Sequence, residues 1–165
     1  MTMTELETSF TEDVEGDRQR ILKMPANQFH PLVYIGGAPE FGDEVYVGLF
    51  SEINASGARI VIGSHCDIAS FVSINVADSH LYCIGASEAV DRRDIILGKQ
   101  VFVGTHSAIL GGSIIGDRCV VAAGTIVRGL DVPPDSLVIG NPAVCHPGYY
   151  LNRPHEGATD KFKSP

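Results

Sequence analysis

The chain of 165 residues has no tryptophan, 7% aromatic residues and three methionines. A core of large rings is thereby excluded, and the fold has to be held by small aliphatic side chains. No apolar run is long enough to span a bilayer, and the start of the chain (Met1 to Thr11) is polar and acidic, without the basic and apolar stretches of a secretory leader. The expected location is the cytoplasm. Positive charge is also scarce: twelve Lys and Arg stand against twenty Asp and Glu, a formal net charge of -8, and the basic residues are scattered. Nucleic acid and anionic membrane are therefore not the expected partners. The four cysteines, at 66, 83, 119 and 145, form no CxxC pair and no metal-ligand spacing, so neither a disulfide framework nor a zinc finger is indicated.

What is abundant is glycine, eighteen residues of it, set among Ile and Val at a fixed interval. Steps of six from Leu97 meet Val103, Ile109, Ile115, Val121 and Val127, a period that belongs to neither an amphipathic helix nor an alternating strand. The residue after the rung is small at Gly98, Gly104, Gly116 and Ala122, with Leu110 and Arg128 as exceptions. Compact residues precede the later rungs by two places: Val101, Ser107, Ser113, Cys119 and Thr125. A second register runs Ile62, Ile68, Ile74, and Val47 with Ile53 reads as an earlier turn put out of phase by extra residues at 54–58. A six-residue period of this kind predicts an all-β fold, a parallel β-helix whose three-sided coils point their rungs inward. Small residues after the rung are expected to serve tight corners.

The ladder breaks in three places. Residues 78–95 lose the register across a charged stretch that contains Asp78, Ser79 and His80, and read as a loop ejected from the prism, the kind of segment where chemistry concentrates. Adjacent Pro133 and Pro134 predict a turn out of the ladder. The N-terminal segment is acidic and then carries a short helical candidate at 17–23 (DRQRILK) that ends near Pro25. The division that follows is an N-terminal extension at 1–41, a β-helix domain at 42–145 with its loop at 78–95, and a tail at 146–165.

Residues 101–117 (VFVGTHSAILGGSIIGD), 120–127 (VVAAGTIV), 132–136 (VPPDS) and 139–143 (IGNPA) together resemble the hexapeptide-repeat acyltransferases, in particular the branch of the maltose and galactoside O-acetyltransferases and their relatives in surface-polysaccharide synthesis. The resemblance covers about residues 45 to 145. It implies a left-handed β-helix, an exception to the right-handed crossover rule. It also implies a homotrimer with active sites between subunits, and transfer of an acetyl group from acetyl-coenzyme A to a hydroxyl or amine of a sugar, free or nucleotide-linked. The family's catalytic histidine stands before the ejected loop, which matches His80 in 76–80 (VADSH), with Asp78 as the candidate to orient it. Carried over in the same way, Thr105, Ala123, Gly124, Arg128, Asn141 and Pro142 are the expected coenzyme contacts, and Asn54 the expected acceptor contact. Gly111 and Gly112 stand where the family has Pro-Gly, and Phe102 where it often has tryptophan.

Imidazole suits the implied chemistry. A thioester is already activated, so the protein has only to take the acceptor's proton, stabilise the tetrahedral oxyanion and return the proton to the thiolate, with no metal. Of the six histidines, His30, His146 and His155 fall outside the ladder, His65 sits in a hexad beside a corner, and His106 follows Thr105; His80 alone marks the point where ladder gives way to loop. Cys83, three residues on, could be read as a nucleophile, but direct transfer needs no covalent intermediate. Two other functions fit the prism. A zinc-dependent carbonic anhydrase would need a His-x4-His pair after the loop, and Gly111 occupies the second position here. A non-catalytic scaffold would leave His80 and the Asn141-Pro142 closing motif without a purpose.

Overall fold

The computed structural model describes residues 27–153, and the helical candidate at 17–23 lies outside them. The described chain winds as a left-handed parallel β-helix of five coils, each with three short strands. Face A stacks β1 (Tyr34–Gly36), β4 (Glu52–Asn54), β7 (Ser73–Asn75), β12 (Ala108–Leu110) and β15 (Ile126–Arg128). Face B stacks β2 (Glu40–Phe41), β5 (Ile60–Ile62), β10 (Ile95–Leu97), β13 (Ile114–Ile115) and β16 (Asp131–Val132). Face C stacks β3 (Tyr46–Val47), β6 (Asp67–Ile68), β11 (Phe102–Val103), β14 (Val120–Val121) and β17 (Leu137–Ile139), and is closed by antiparallel β18 (Val144–His146).

Register explains the period. Ile53, Ile74, Ile109 and Val127 pair directly above one another on face A, and equivalent columns run Ile62, Leu97, Ile115, Val132 on face B and Val47, Ile68, Val103, Val121, Val138 on face C. All of these rungs are buried. At about 1.5–3 kcal/mol for each buried aliphatic side chain, the stacked columns are the main cohesive term. The small residues two places before the rungs are buried as well, and their hydroxyls meet the polar backbone of the corners. Ser107 Oγ donates to the Ala122 carbonyl at 3.0 Å, Ser113 Oγ to Leu110 at 2.7 Å, and Ser136 Oγ to Pro133 at 2.6 Å. Cys66 and Cys119 occupy the same position as core residues, and burial pushes the Cys66 thiol up to about 11.

Four expectations are corrected. The prolines do not leave the ladder: Val132 pairs with Ile115 and is buried, and Pro133 and Pro134 make the corner after β16, the last strand of face B, where no further coil stands to accept the N–H that Gly98 and Gly116 donate at the same place. The glycines after the rungs do not supply unusual backbone angles. They permit close approach, since a Cβ at Gly104 would lie 2.5 Å from the Ala123 nitrogen and one at Gly63 2.5 Å from the Gly98 carbonyl oxygen. The left-handed angles fall two residues later, mostly on residues other than glycine: Phe50, His65, Phe71, Gln100, His106 and Arg118 have φ between 57° and 61°. The prism also starts earlier than 42, because Tyr34–Gly36 already pairs with Glu52–Asn54. Finally, Ile95 belongs to face B and is fully buried, so the loop spans 77–94.

Candidate functional site

The three edges of the prism are not alike. Along the edge between faces C and A, the corners repeat without insertion after the first coil: Phe50, Phe71 and His106 stand one above another, each in the left-handed region. Phe71 stacks on Phe50 with centroids 5.1 Å apart and on His106 at 5.0 Å. The next corner is Gly124, where an added Cβ would meet nothing within 4 Å. Thr105 Oγ1 donates its only proton to the Ser70 carbonyl at 2.7 Å, so His106 Nδ1, 2.9 Å from that oxygen, is the donor of the second bond. Ala123 and Asn141 are exposed on this edge, and the Asn141–Pro142 bond is cis.

The edge between faces A and B carries the insertions. Coil two widens at residues 55–59, and coil three ejects the loop after Val76. The loop is not shapeless. Its base is a hairpin of β8 (Ala77–Asp78) and β9 (Asp91–Arg92), with a helical turn at His80–Cys83 beyond it. Arg92 Nε donates to the Ser56 carbonyl at 3.2 Å, which ties the hairpin to the coil-two insertion. On the other side the base rests on Gly111, where a Cβ would lie 2.7 Å from the Val76 carbonyl oxygen. Glycine at the place where the family has proline is thus the seat of the loop.

Asp78 and His80 meet at this base. His80 Nδ1 donates to Asp78 Oδ1, the His80 backbone N–H bonds the same oxygen at 3.3 Å, and Arg128 Nη2 donates to Asp78 Oδ2 at 2.8 Å. The hydrogen bond from His80, then its backbone N–H and the guanidinium of Arg128, hold the Asp78 carboxyl below the usual carboxylate range against a partial desolvation. With Nδ1 engaged, neutral His80 presents the lone pair of Nε2 from an exposed side chain, the arrangement of a general base held by a carboxylate.

Below the loop, face A is polar. Glu52 accepts from Asn54 Nδ2 at 3.3 Å and Asn75 Nδ2 at 3.4 Å, with Ser73 Oγ at 3.5 Å, while Asn75 Oδ1 receives the Ala77 N–H at 2.9 Å where the chain departs for Asp78. Of the residues expected to bind coenzyme, Arg128 therefore joins the Asp78–His80 pair, whereas Thr105, Ala123 and Gly124 line the opposite edge of face A. Asn54 stands on face A in the column that continues through Asn75, Leu110 and Arg128. Glu52, Ser73 and Asn75 belong to no motif in the sequence, yet each occupies an outward place beside a rung and is identifiable by that spacing.

The family model for the bacterial transferase hexapeptide (six repeats) matches residues 94–129. Residues 94–129 thus carry the hexapeptide repeat of that family. The chain is 32% identical over 121 residues to the bifunctional protein GlmU of Streptococcus mutans serotype c, matching 68% of this chain and 25% of that protein. A galactoside acetyltransferase solved with coenzyme A is 29% identical with a TM-score of 0.63, over 73% of this chain and 60% of that one. A hexapeptide-repeat acetyltransferase of Vibrio cholerae O1 biovar eltor, complexed with acetyl-coenzyme A, is 25% identical with a TM-score of 0.52, covering 84% and 87% of the two chains. This chain thus spans a quarter of the length of the curated relative and three fifths of the galactoside enzyme. Among the described residues no helix is long and apolar enough to cross a membrane.

Proposed function

We propose that the protein transfers an acetyl group from acetyl-coenzyme A to a hydroxyl or amine of a sugar or nucleotide-sugar acceptor by direct attack, with His80 as general base. The observation that carries this reading is the Asp78–His80 pair, with Nδ1 bound and Nε2 open at the root of an ejected loop. Nε2 takes the proton as the acceptor oxygen or nitrogen attacks the thioester carbonyl. The tetrahedral intermediate then collapses, the C–S bond breaks, and the imidazolium returns the proton to the thiolate. Asp78 fixes the tautomer and offsets the positive charge that forms on the ring. The likeness to an acetyltransferase that binds coenzyme A, at 29% identity, supports the donor. The carboxylate, amides and hydroxyl of Glu52, Asn54, Ser73 and Asn75 supply donors and acceptors suited to a hydroxyl-rich acceptor.

This reading assembles the site between copies. The pair at the A–B edge and the corner of Thr105, Ala123 and Gly124 at the C–A edge lie on opposite sides of face A in one chain, and a three-fold arrangement sets one edge against the other copy's opposite edge. Exposed Ile96 and Ile114 on face B and Phe102 on face C provide apolar surface for such a trimer, working in the cytoplasm. A histidine-bound zinc has no place at Gly111, because the loop base fills the space a side chain would need.

A thiol-release assay with acetyl-coenzyme A against a panel of sugars and nucleotide sugars tests the activity. The His80→Ala substitution is expected to lower kcat by about 10²–10⁴-fold with the fold intact. An undiminished rate in that variant removes His80 from its role, and absence of acetyl-coenzyme A binding by calorimetry would leave only a scaffold.

A further inference from the structure

We propose that Arg128 is a positioning residue, which ties the Asp78–His80 pair to the rigid prism. The inference rests on the reading of His80 as the base and moves Arg128 away from the coenzyme. The helical turn at His80–Cys83 contains no buried residue, and its N-cap Ser79 makes no side-chain capping bond, so the loop's own packing does not fix the imidazole. Arg128 differs: it ends β15, which pairs along its length with β12 on face A. Its Nη2 takes Asp78 Oδ2 at 2.8 Å, while Oδ1 of the same carboxylate receives His80 Nδ1.

A carboxylate turns easily about its terminal torsion, where wells are broad and two-fold. Binding one oxygen to the prism and the other to the imidazole removes that freedom, so the ring direction becomes a property of the scaffold. The remaining charges on the hairpin base are otherwise engaged. Asp91, opposite Asp78, pairs with Arg93 at 3.1 Å, and Arg92 is bound to the Ser56 carbonyl. Gly129, next to Arg128, has the Arg93 guanidinium 3.6 Å from where a Cβ would stand, so the ejected hairpin lies over this corner.

Three readouts on Arg128→Ala and Arg128→Lys test the assignment, with melting temperatures to confirm folding. Arg128→Ala is expected to lower kcat by about 10–100-fold, as small misplacement of a reacting group does, with KM for acetyl-coenzyme A within about two-fold. Arg128→Lys recovers part of the rate, since it keeps the cation without the guanidinium's geometry. Removing the cation leaves Asp78 to stabilise the imidazolium alone, so the acidic limb of kcat/KM moves to higher pH in the alanine variant. By NMR, the hydrogen-bonded Nδ1–H signal of His80 is present in the unsubstituted protein and lost in Arg128→Ala. A raised KM for acetyl-coenzyme A with kcat preserved makes Arg128 a coenzyme ligand and overturns the proposal. So does an unaltered Nδ1–H signal. If His80→Ala itself keeps full rate, the base assignment falls, and the NMR signal alone decides whether Arg128 positions the ring.

Discussion

The two edges that bound face A are built from the same hexapeptide yet serve opposite ends. At the C–A edge each corner repeats the last, with Phe50, Phe71 and His106 in register above one another, and the glycines there let backbone approach backbone. At the A–B edge the repeat is interrupted by the 55–59 insertion, the 77–94 loop and the Gly111 seat, and here the polar side chains gather. Strict repetition closes a core, and a departure from it frees a segment to hold a titratable group away from that core. One edge should therefore be sensitive in stability and the other in activity.

The largest effect expected from that contrast comes from two glycines. A Cβ at Gly104 would stand 2.5 Å from the Ala123 nitrogen and 2.8 Å from its Cα, atoms of the next coil that cannot move without parting two coils. At Gly111 the Cβ would stand 2.7 Å from the Val76 carbonyl oxygen, at the root of a hairpin that can tilt outward. Gly104→Ala is expected to cost about 1–3 kcal/mol in urea unfolding, the range for overpacking, and Gly111→Ala distinctly less. In acetyl transfer the order reverses, with Gly111→Ala losing more kcat because it shifts Asp78 and His80. Equal stability costs for the two variants would erase the distinction between the edges.

This contrast also separates what was legible in the sequence from what was not. Rungs such as Ile74 and Ile109 announce themselves because burial demands an aliphatic residue every sixth place, and His80 stands out where that demand lapses. Register across coils is not written locally. Residues 78 and 128 are brought together only after the insertions have been counted into the winding, so Arg128 read as a coenzyme residue rather than a partner of Asp78. The Pro133–Pro134 pair reads differently for another reason: prolines forbid a ladder bond, but they follow β16, the last strand of face B, where no further coil stands to accept the N–H that Gly98 and Gly116 donate in the coils before.

Acid sharpens the contrast from the A–B side. Because its partners lower the native carboxyl of Asp78, that group contributes stability at pH values above its unfolded value of about 3.9, and the contribution is lost as pH falls through the lower native value. Asp78→Asn is thus expected to melt lower than the unsubstituted protein at pH 6, with the gap closing toward pH 2. Glu40, lowered by its hydrogen bond to Arg59, acts in the same sense in both proteins, so only the difference between them reports on Asp78. A gap that stays constant with pH would mean that the Asp78 contacts carry no charge-dependent stability.

The smallest effect lies on the C–A side and asks whether its aromatic column contributes at all. Phe71 and Gln100 both adopt left-handed backbone, with φ of 61° and 57°, but Phe71 stacks between Phe50 and His106 whereas Gln100 caps the corner between faces B and C. Replacing either by glycine relieves about 1–2 kcal/mol of backbone strain and returns about 0.5–1 kcal/mol through the freer unfolded chain. Gln100→Gly is then expected to be about 0.5 kcal/mol more stable than the unsubstituted protein. Phe71→Gly gives up two ring contacts worth about 0.5–1.5 kcal/mol each in addition, which turns the balance to roughly 1 kcal/mol less stable. Should the two glycine variants unfold at the same urea concentration, the column is ornament on the solvent side of the prism, and the repetition of this edge is owed to backbone packing alone.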